Sequence, residues 1–232
     1  FLEALIPPSN AAILFSALTD VPVSKTFAAG ILPGLVLMGL LSLVVIWKCR
    51  RLKVSERASS KDKLKAFWEA LPGLFTPIII LGGIYSGLFT PSESAAVAGL
   101  WGIVIGTVIY KELTLSGVVD ALYETSRITA IIFAIIAMAT FLSVVLTYTQ
   151  APQKIINFFL ELGGTQVTFW ISVAVICLIL GTFVEIVPVF YLTVPIFAAL
   201  ALSLNLHVLH LYIVFVAFAG IGMITPPVCV GI

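Results

Sequence analysis

Two short stretches carry the residues best able to do chemistry: GTFVEIVP at 181–188 and IGMITPPV at 221–228. Each interrupts an apolar run with glycine, threonine and proline, and the first adds the carboxylate of Glu185. A proline inside a helix removes a backbone donor and clashes with the carbonyl one turn back. The Pro226 and Pro227 pair raises that cost, and in hydrocarbon no water satisfies the groups it frees. Unwound backbone at membrane depth is therefore expected only where it lines a cavity or lies buried in protein. Its carbonyls are hard oxygen ligands that suit Na⁺, and Thr225 adds a hydroxyl. Half-helix N-termini bring partial positive charge to an anionic substrate. Thr182 and Glu185 are expected at about the depth of Thr225, and together these features describe a secondary-transporter site. Glu185 also has a plainer reading as a cap on the following helix. An intramembrane carboxylate is nevertheless a functional candidate by default.

The elements that must position these residues are membrane helices. The 232 residues are 61% hydrophobic and 10% charged, with mean hydropathy +1.20. Soluble domains sit near ~45–50% apolar and ~25% charged, so the fold class is an all-α polytopic membrane protein. No basic n-region opens the chain, and both ends read as the interior of a longer protein. Residues 9–18 form a short apolar piece after a first proline pair, and 27–47 are long enough to span. The stretch KCRRLKVSERASSKDKLK holds Lys48, Arg50, Arg51, Lys53, Arg57, Lys61, Lys63 and Lys65. The positive-inside rule makes it cytoplasmic, with contact to anionic membrane lipid as a further role.

Residues 67–110 are apolar for about two spans, divided at GGIYSGLFTPSES, where Thr90, Pro91 and Glu93 have the form of a capping box. Lys111, Glu112, Asp120, Glu124 and Arg127 mark a stretch expected to lie as a helix on the cytoplasmic surface. Residues 128–148 span outward, and 151–163 read as a short amphipathic helix on the outer side. The run 167–204, split around 181–188, has a first piece of about fourteen residues, which at ~1.5 Å per residue is too short to cross a ~30 Å core. Two such pieces describe a re-entrant hairpin. The last segment, from Leu211, descends inward with TPP near its middle. The domain reading is thus 1–47, a basic loop 48–66, a scaffold stretch 67–127, and a unit 128–232 containing the hairpin and the broken helix 211–232.

LIPPSNAAIL near the start matches MITPPVCVGI near the end, in opposite crossing directions, which is the footprint of an inverted repeat. Other clusters carry less. His207 and His210 have ligand-like spacing without a third ligand, and Cys49, Cys177 and Cys229 lack any CxxC pattern. Nothing signals nucleic acid, and no Ser–His or paired-Asp arrangement at one depth supports an intramembrane enzyme, so the chain is read as no enzyme.

Five blocks in order, IPPS, AGILPG, GGIYSGLFTPSESAAVA, GTFVEIVP and IGMITPPV, resemble the large membrane subunit of TRAP (tripartite ATP-independent periplasmic) transporters. The resemblance implies an elevator-type carrier of the ion transporter superfamily with inverted repeats. It implies Na⁺ as coupling ion, a small organic acid such as a C4-dicarboxylate or sialic acid as substrate, and a bacterial inner-membrane location. The partners it implies are a periplasmic substrate-binding protein and a small membrane subunit. Carried over by position, one sodium site takes Gly181, Gly222, Thr225 and Val228, mostly through carbonyls, and its symmetry mate takes the turn at Ile6 and Pro7. Ser9, Thr182, Glu185 and Pro226 are the substrate-facing candidates. Glu3, Phe218 and Cys229 depart from the family pattern, where glycine, asparagine and glycine are usual. A related carrier that works without a binding protein is the alternative, and a channel is also conceivable.

Overall fold

The computed structural model describes residues 2–50, 59–184 and 186–225. Glu185, Pro226, Val228 and Cys229 lie outside the described residues, as do Arg51, Lys53 and Arg57 of the basic loop. A short 3₁₀ turn, Leu2–Ala4, precedes helices α1 (Asn10–Thr19), α2 (Val23–Cys49), α3 (Ser60–Tyr85), α4 (Pro91–Val104) and α5 (Leu115–Tyr148). Then follow α6 (Ala151–Glu161), α7 (Gln166–Phe183), α8 (Ile186–Ser203) and α9 (Val208–Met223). Among the described residues no strand occurs, and six helices are long and apolar enough to cross a membrane. The all-α polytopic fold expected from composition is the fold observed.

The chain divides into two compact units, Phe1–Val36 with Ile128–Ile232, and Leu37–Arg127. The first has an aromatic core. Phe15 of α1 lies 6.4 Å from Phe190 of α8 and 5.2 Å from Tyr212 of α9. Phe190 and Phe197 in turn meet Phe215, at 4.6 and 6.4 Å. The edge-on pairs, which exclude the tilted Phe15–Tyr212, add about 0.5–1.5 kcal/mol each beyond burial. The buried residues of α8, among them Val189, Phe190, Thr193, Val194, Phe197 and Ala201, recur at three- and four-residue steps and so share one face. On α7 the buried stripe is Phe169, Val173, Cys177 and Gly181, at four-residue steps with side chains that shrink along the helix.

That gradient sets the geometry of the hairpin. Gln166 at the start of α7 donates its amide to Leu204 O beyond the end of α8 at 3.2 Å, and Phe169 meets Phe197 at 6.4 Å, so α7 and α8 are antiparallel. Helix α9 instead runs parallel to α7. Trp170 stacks on His210 near both N-terminal ends (4.3 Å), and Gly181 meets Gly222 near both C-terminal ends. At Gly181 a Cβ would lie 2.6 Å from Ala219 O, and at Gly222 one would lie 2.7 Å from Leu178 O. Only glycine lets the two backbones approach this closely.

Two expectations about element limits are corrected. Helix α7 runs through Gly181 to Phe183, so each hairpin arm has 18 residues, enough to count among the six candidate spans, and the chain breaks at the extended Val184. Gly181 does not end the helix because its missing side chain serves packing on α9. Second, the stretch 115–127 is no separate surface helix. It continues into the following span as one 34-residue helix, since nothing between Val118 and Tyr148 removes a backbone donor.

In the second unit, α3 and α4 form an antiparallel pair around GGIYSGLFTPSES. Gly87 takes φ +74° in the turn, and Gly83 lies against Phe89 and Ser94. The capping box is present as read: Thr90 N and Oγ1 donate to Glu93 Oε2 at 2.7 and 2.8 Å, and Glu93 N donates to Thr90 Oγ1 at 3.3 Å. Trp101 Nε1 donates to Pro72 O at 3.2 Å, and Tyr110 Oη donates to Glu69 O at 2.7 Å, tying α4 and its continuation to α3.

Candidate functional site

Both proline-marked stretches lie in the first unit. The first follows the 3₁₀ turn: Leu5 is 2% exposed, its carbonyl rests against Gly30 of α2, and the Ile6 side chain lies over Gly34. The Pro7–Pro8 bond is cis, and the chain then enters α1 at Ser9. Ser9 is 1% exposed, donates its hydroxyl to Ala4 O at 2.7 Å, and accepts Ala12 N–H at 3.3 Å as N-cap. Its hydroxyl is therefore already occupied in shaping the turn. Tyr212 Oη donates to the same Ala4 carbonyl at 3.0 Å. Ser16 and Thr26 join α1 to α2 through a buried hydroxyl pair at 2.9 Å.

The second site is the end of the α7–α9 crossing. Gly181 and Gly222 are buried in mutual backbone contact, so the structure brings together two of the four residues expected at one sodium site. Thr225 lies close by in sequence: its N–H donates to Gly222 O at 2.9 Å and its hydroxyl to Ile221 O at 2.8 Å. Thr182, half-buried one residue past Gly181, donates to Ile179 O at 2.7 Å. The fourth residue expected there, Val228, and the substrate candidates Glu185 and Pro226 fall outside the described residues.

The electrostatics follow from direction. The last four carbonyls of any α-helix lack intrahelical partners, and the macrodipole places about half a negative charge at each C-terminus. Because α7 and α9 are parallel and touch at Gly181 and Gly222, their negative ends converge. Both threonine hydroxyls, at 182 and 225, point their protons back into their own helices, leaving oxygen lone pairs outward-capable. Carbonyl oxygens at helix C-termini are hard ligands of the kind that suits a hard cation. Glu3 is exposed, and Phe218 is half-buried on α9.

The histidine pair has other work. His207 caps α9, its Nδ1 accepting Leu209 N–H at 3.2 Å, and His210 stacks on Trp170. Among the described residues no group of three or more His, Cys, Asp or Glu is placed to hold a metal. Sequence reasoning missed Ala219 and Leu178, whose carbonyls form the crossing, and the Tyr212–Ala4–Ser9 cluster. The four-residue stripe ending in Gly181 was the available signal for the first; nothing in the sequence pairs Tyr212 with Ala4.

Comparison with known proteins gives this arrangement a family. Residues 2–232 match the model of the tripartite ATP-independent periplasmic transporter, DctM component. The C4-dicarboxylate TRAP transporter large permease protein DctM of Pseudomonas aeruginosa is 39% identical over 98% of this chain and 54% of its own length. The sialic acid TRAP transporter large permease protein SiaM of Vibrio cholerae is 31% identical over 96% of this chain and 53% of its own. The isethionate TRAP transporter permease protein DctMQ of Oleidesulfovibrio alaskensis is 31% identical over all of this chain and 37% of its own. The chain thus spans about half the length of the first two relatives. The family is one of transport proteins rather than enzymes, and with six apolar helices among the described residues the chain is a multi-pass inner-membrane protein. The chain belongs to the DctM component family of tripartite ATP-independent periplasmic transporters.

Proposed function

We propose that this chain is part of a Na⁺-coupled secondary transporter that takes up a small organic acid handed over by a periplasmic binding protein. The observation that carries the reading is the convergence of the α7 and α9 C-termini at Gly181 and Gly222. A Na⁺ ion there is cargo, held by carbonyls around Gly181, Gly222 and Val228 with the Thr225 hydroxyl, and a second is held by the turn at Ile6 and Pro7. The bound cation offsets the negative helix ends and so prepares the site for an anion, for which Thr182, Glu185 and Pro226 are the candidate contacts. Ser9 contributes by fixing the first turn. A C4-dicarboxylate is the favoured substrate, since the DctM relative of Pseudomonas aeruginosa is named for one.

The hairpin and both broken helices carry substrate and ion across together in an elevator movement, as two inverted repeats. The stretch 67–110 belongs to the scaffold, and a small membrane subunit completes the complex. The test is uptake of radiolabelled succinate, with N-acetylneuraminate in parallel, into proteoliposomes holding the complete system. A Na⁺ gradient should drive saturable uptake that a K⁺ gradient does not. Uptake indifferent to Na⁺ overturns the coupling. Full uptake without the binding protein moves the chain to the class of carriers that need none.

A further inference from the structure

One buried hydroxyl joins the first proline-marked turn to α9. We propose that Tyr212 is a positioning residue that couples this turn to the Gly181–Gly222 crossing, so that ion occupancy at one sets the geometry of the other; this rests on the ion-site reading above. The Ala4 carbonyl accepts both Tyr212 Oη at 3.0 Å and Ser9 Oγ at 2.7 Å. Tyr212 is 0% exposed and Ser9 1%, so no bulk water replaces either donor. On one side the shared carbonyl belongs to the last residue of the 3₁₀ turn, and the chain passes directly into Leu5, Ile6 and Pro7. On the other side Tyr212 stands on α9, ten residues and about 15 Å of helix before Gly222. Helix α9 is held again there, backbone to backbone, by Gly181. A shift of the first turn is therefore transmitted along a helix fixed at both ends.

Packing alone does not call for the hydroxyl. The Tyr212 ring meets Phe15 at 5.2 Å within an otherwise phenylalanine core, where a phenylalanine would fill the same space with no polar group to satisfy. What tyrosine adds is a directional bond to Ala4 O, which fixes register between two segments 208 residues apart in sequence.

The test uses the purified complete permease, with Na⁺ alone as probe. Thermal unfolding midpoints are measured against NaCl concentration, with KCl holding ionic strength constant. The wild type should be stabilised by Na⁺ with a slope that reports more than one interacting ion. Tyr212→Phe should need about fivefold more Na⁺ for half the effect, the equilibrium equivalent of one buried hydrogen bond, and its slope should fall towards one. Ser9→Ala, which removes the other donor to Ala4 O, should shift the curve the same way. Phe15→Leu loosens the same ring but keeps the bond, so it should lower the baseline midpoint and leave the Na⁺ curve in place. Tyr212→Phe and Ser9→Ala curves that match wild type, or a Phe15→Leu shift as large as theirs, overturn the proposal. Should Tyr212→Phe not fold, Ser9→Ala against Phe15→Leu decides it. A wild type with no Na⁺ response fails one step earlier, at the ion-site reading itself.

Discussion

Gly181→Ala tests the α7–α9 crossing directly. A Cβ at 181 would sit 2.6 Å from Ala219 O and 3.2 Å from Gly222 Cα, where ordinary contact begins at 3.4 Å. Both obstacles are backbone atoms, so no side chain can swing aside, and α7 must move off α9 by roughly 0.8 Å at this point. Overpacking of this kind costs about 1–3 kcal/mol, and rigid obstacles place it in the upper half of that range. Alanine returns about 1 kcal/mol of helix propensity, leaving a net loss of about 1–2 kcal/mol. At ~2–4 °C per kcal/mol for a chain of this size, the unfolding midpoint of the purified permease should fall by roughly 3–6 °C. The same movement displaces carbonyls from the proposed ion, so half-activation by Na⁺ should rise on the order of tenfold. Gly39→Ala is the control: its Cβ would meet nothing within 4 Å inside α2, so propensity alone should raise stability by about 0.5–1 kcal/mol. Equal midpoints for the two variants would refute the close-approach argument.

Thr90→Ala removes one arm of the α4 capping box and should cost about 0.5–2 kcal/mol, read as a lower unfolding midpoint with Na⁺ activation unchanged. Ser16→Ala removes the buried 2.9 Å bond to Thr26 Oγ1, which keeps its 3.3 Å donation to Pro22 O, and should cost about 0.5–1.5 kcal/mol. The double variant Ser16→Ala with Thr26→Val should cost less than the two single losses together, which a double-mutant cycle by denaturation measures. Thr225→Ala should weaken Na⁺ dependence of uptake far more than it lowers membrane expression, while Thr225→Ser, which keeps the hydroxyl, should restore it. Unchanged Na⁺ activation in Thr225→Ala would remove that hydroxyl from the ion's ligands.

Much of the fold was legible because its signals are local. The Thr90–Glu93 capping box needs only a threonine, a proline and a glutamate at fixed offsets, and the structure shows all its bonds. The hairpin was legible because apolar length and an interrupted run are properties of composition. Its break was misplaced by a few residues because glycine has two uses that a sequence cannot separate: it frees the backbone to turn, as Gly87 does at φ +74°, or it lets another backbone come close, as Gly181 does. The continuity of α5 was missed for a related reason. A change from polar to apolar composition at Arg127 alters what surrounds a helix without interrupting its hydrogen bonds, so one 34-residue helix crosses the boundary.

The candidate site was less legible, and the cause is the nature of its proposed ligands. A cation held by carboxylates or imidazoles announces itself through side-chain spacing, but carbonyl oxygens occur at every residue and leave no signature in the alphabet. What the sequence displays is only the means of bringing helix ends together: Gly181 and Gly222, whose missing side chains let α7 and α9 meet. The parallel course of α7 and α9 adds what no local pattern contains, because it depends on α8 returning the chain between them. Had α9 run antiparallel to α7, a positive helix end would have met the negative one, and the two half-charges would have cancelled. With α8 interposed they add, and the same crossing that buries two glycines becomes the place where the proposed cation would lower the energy of two helix ends at once.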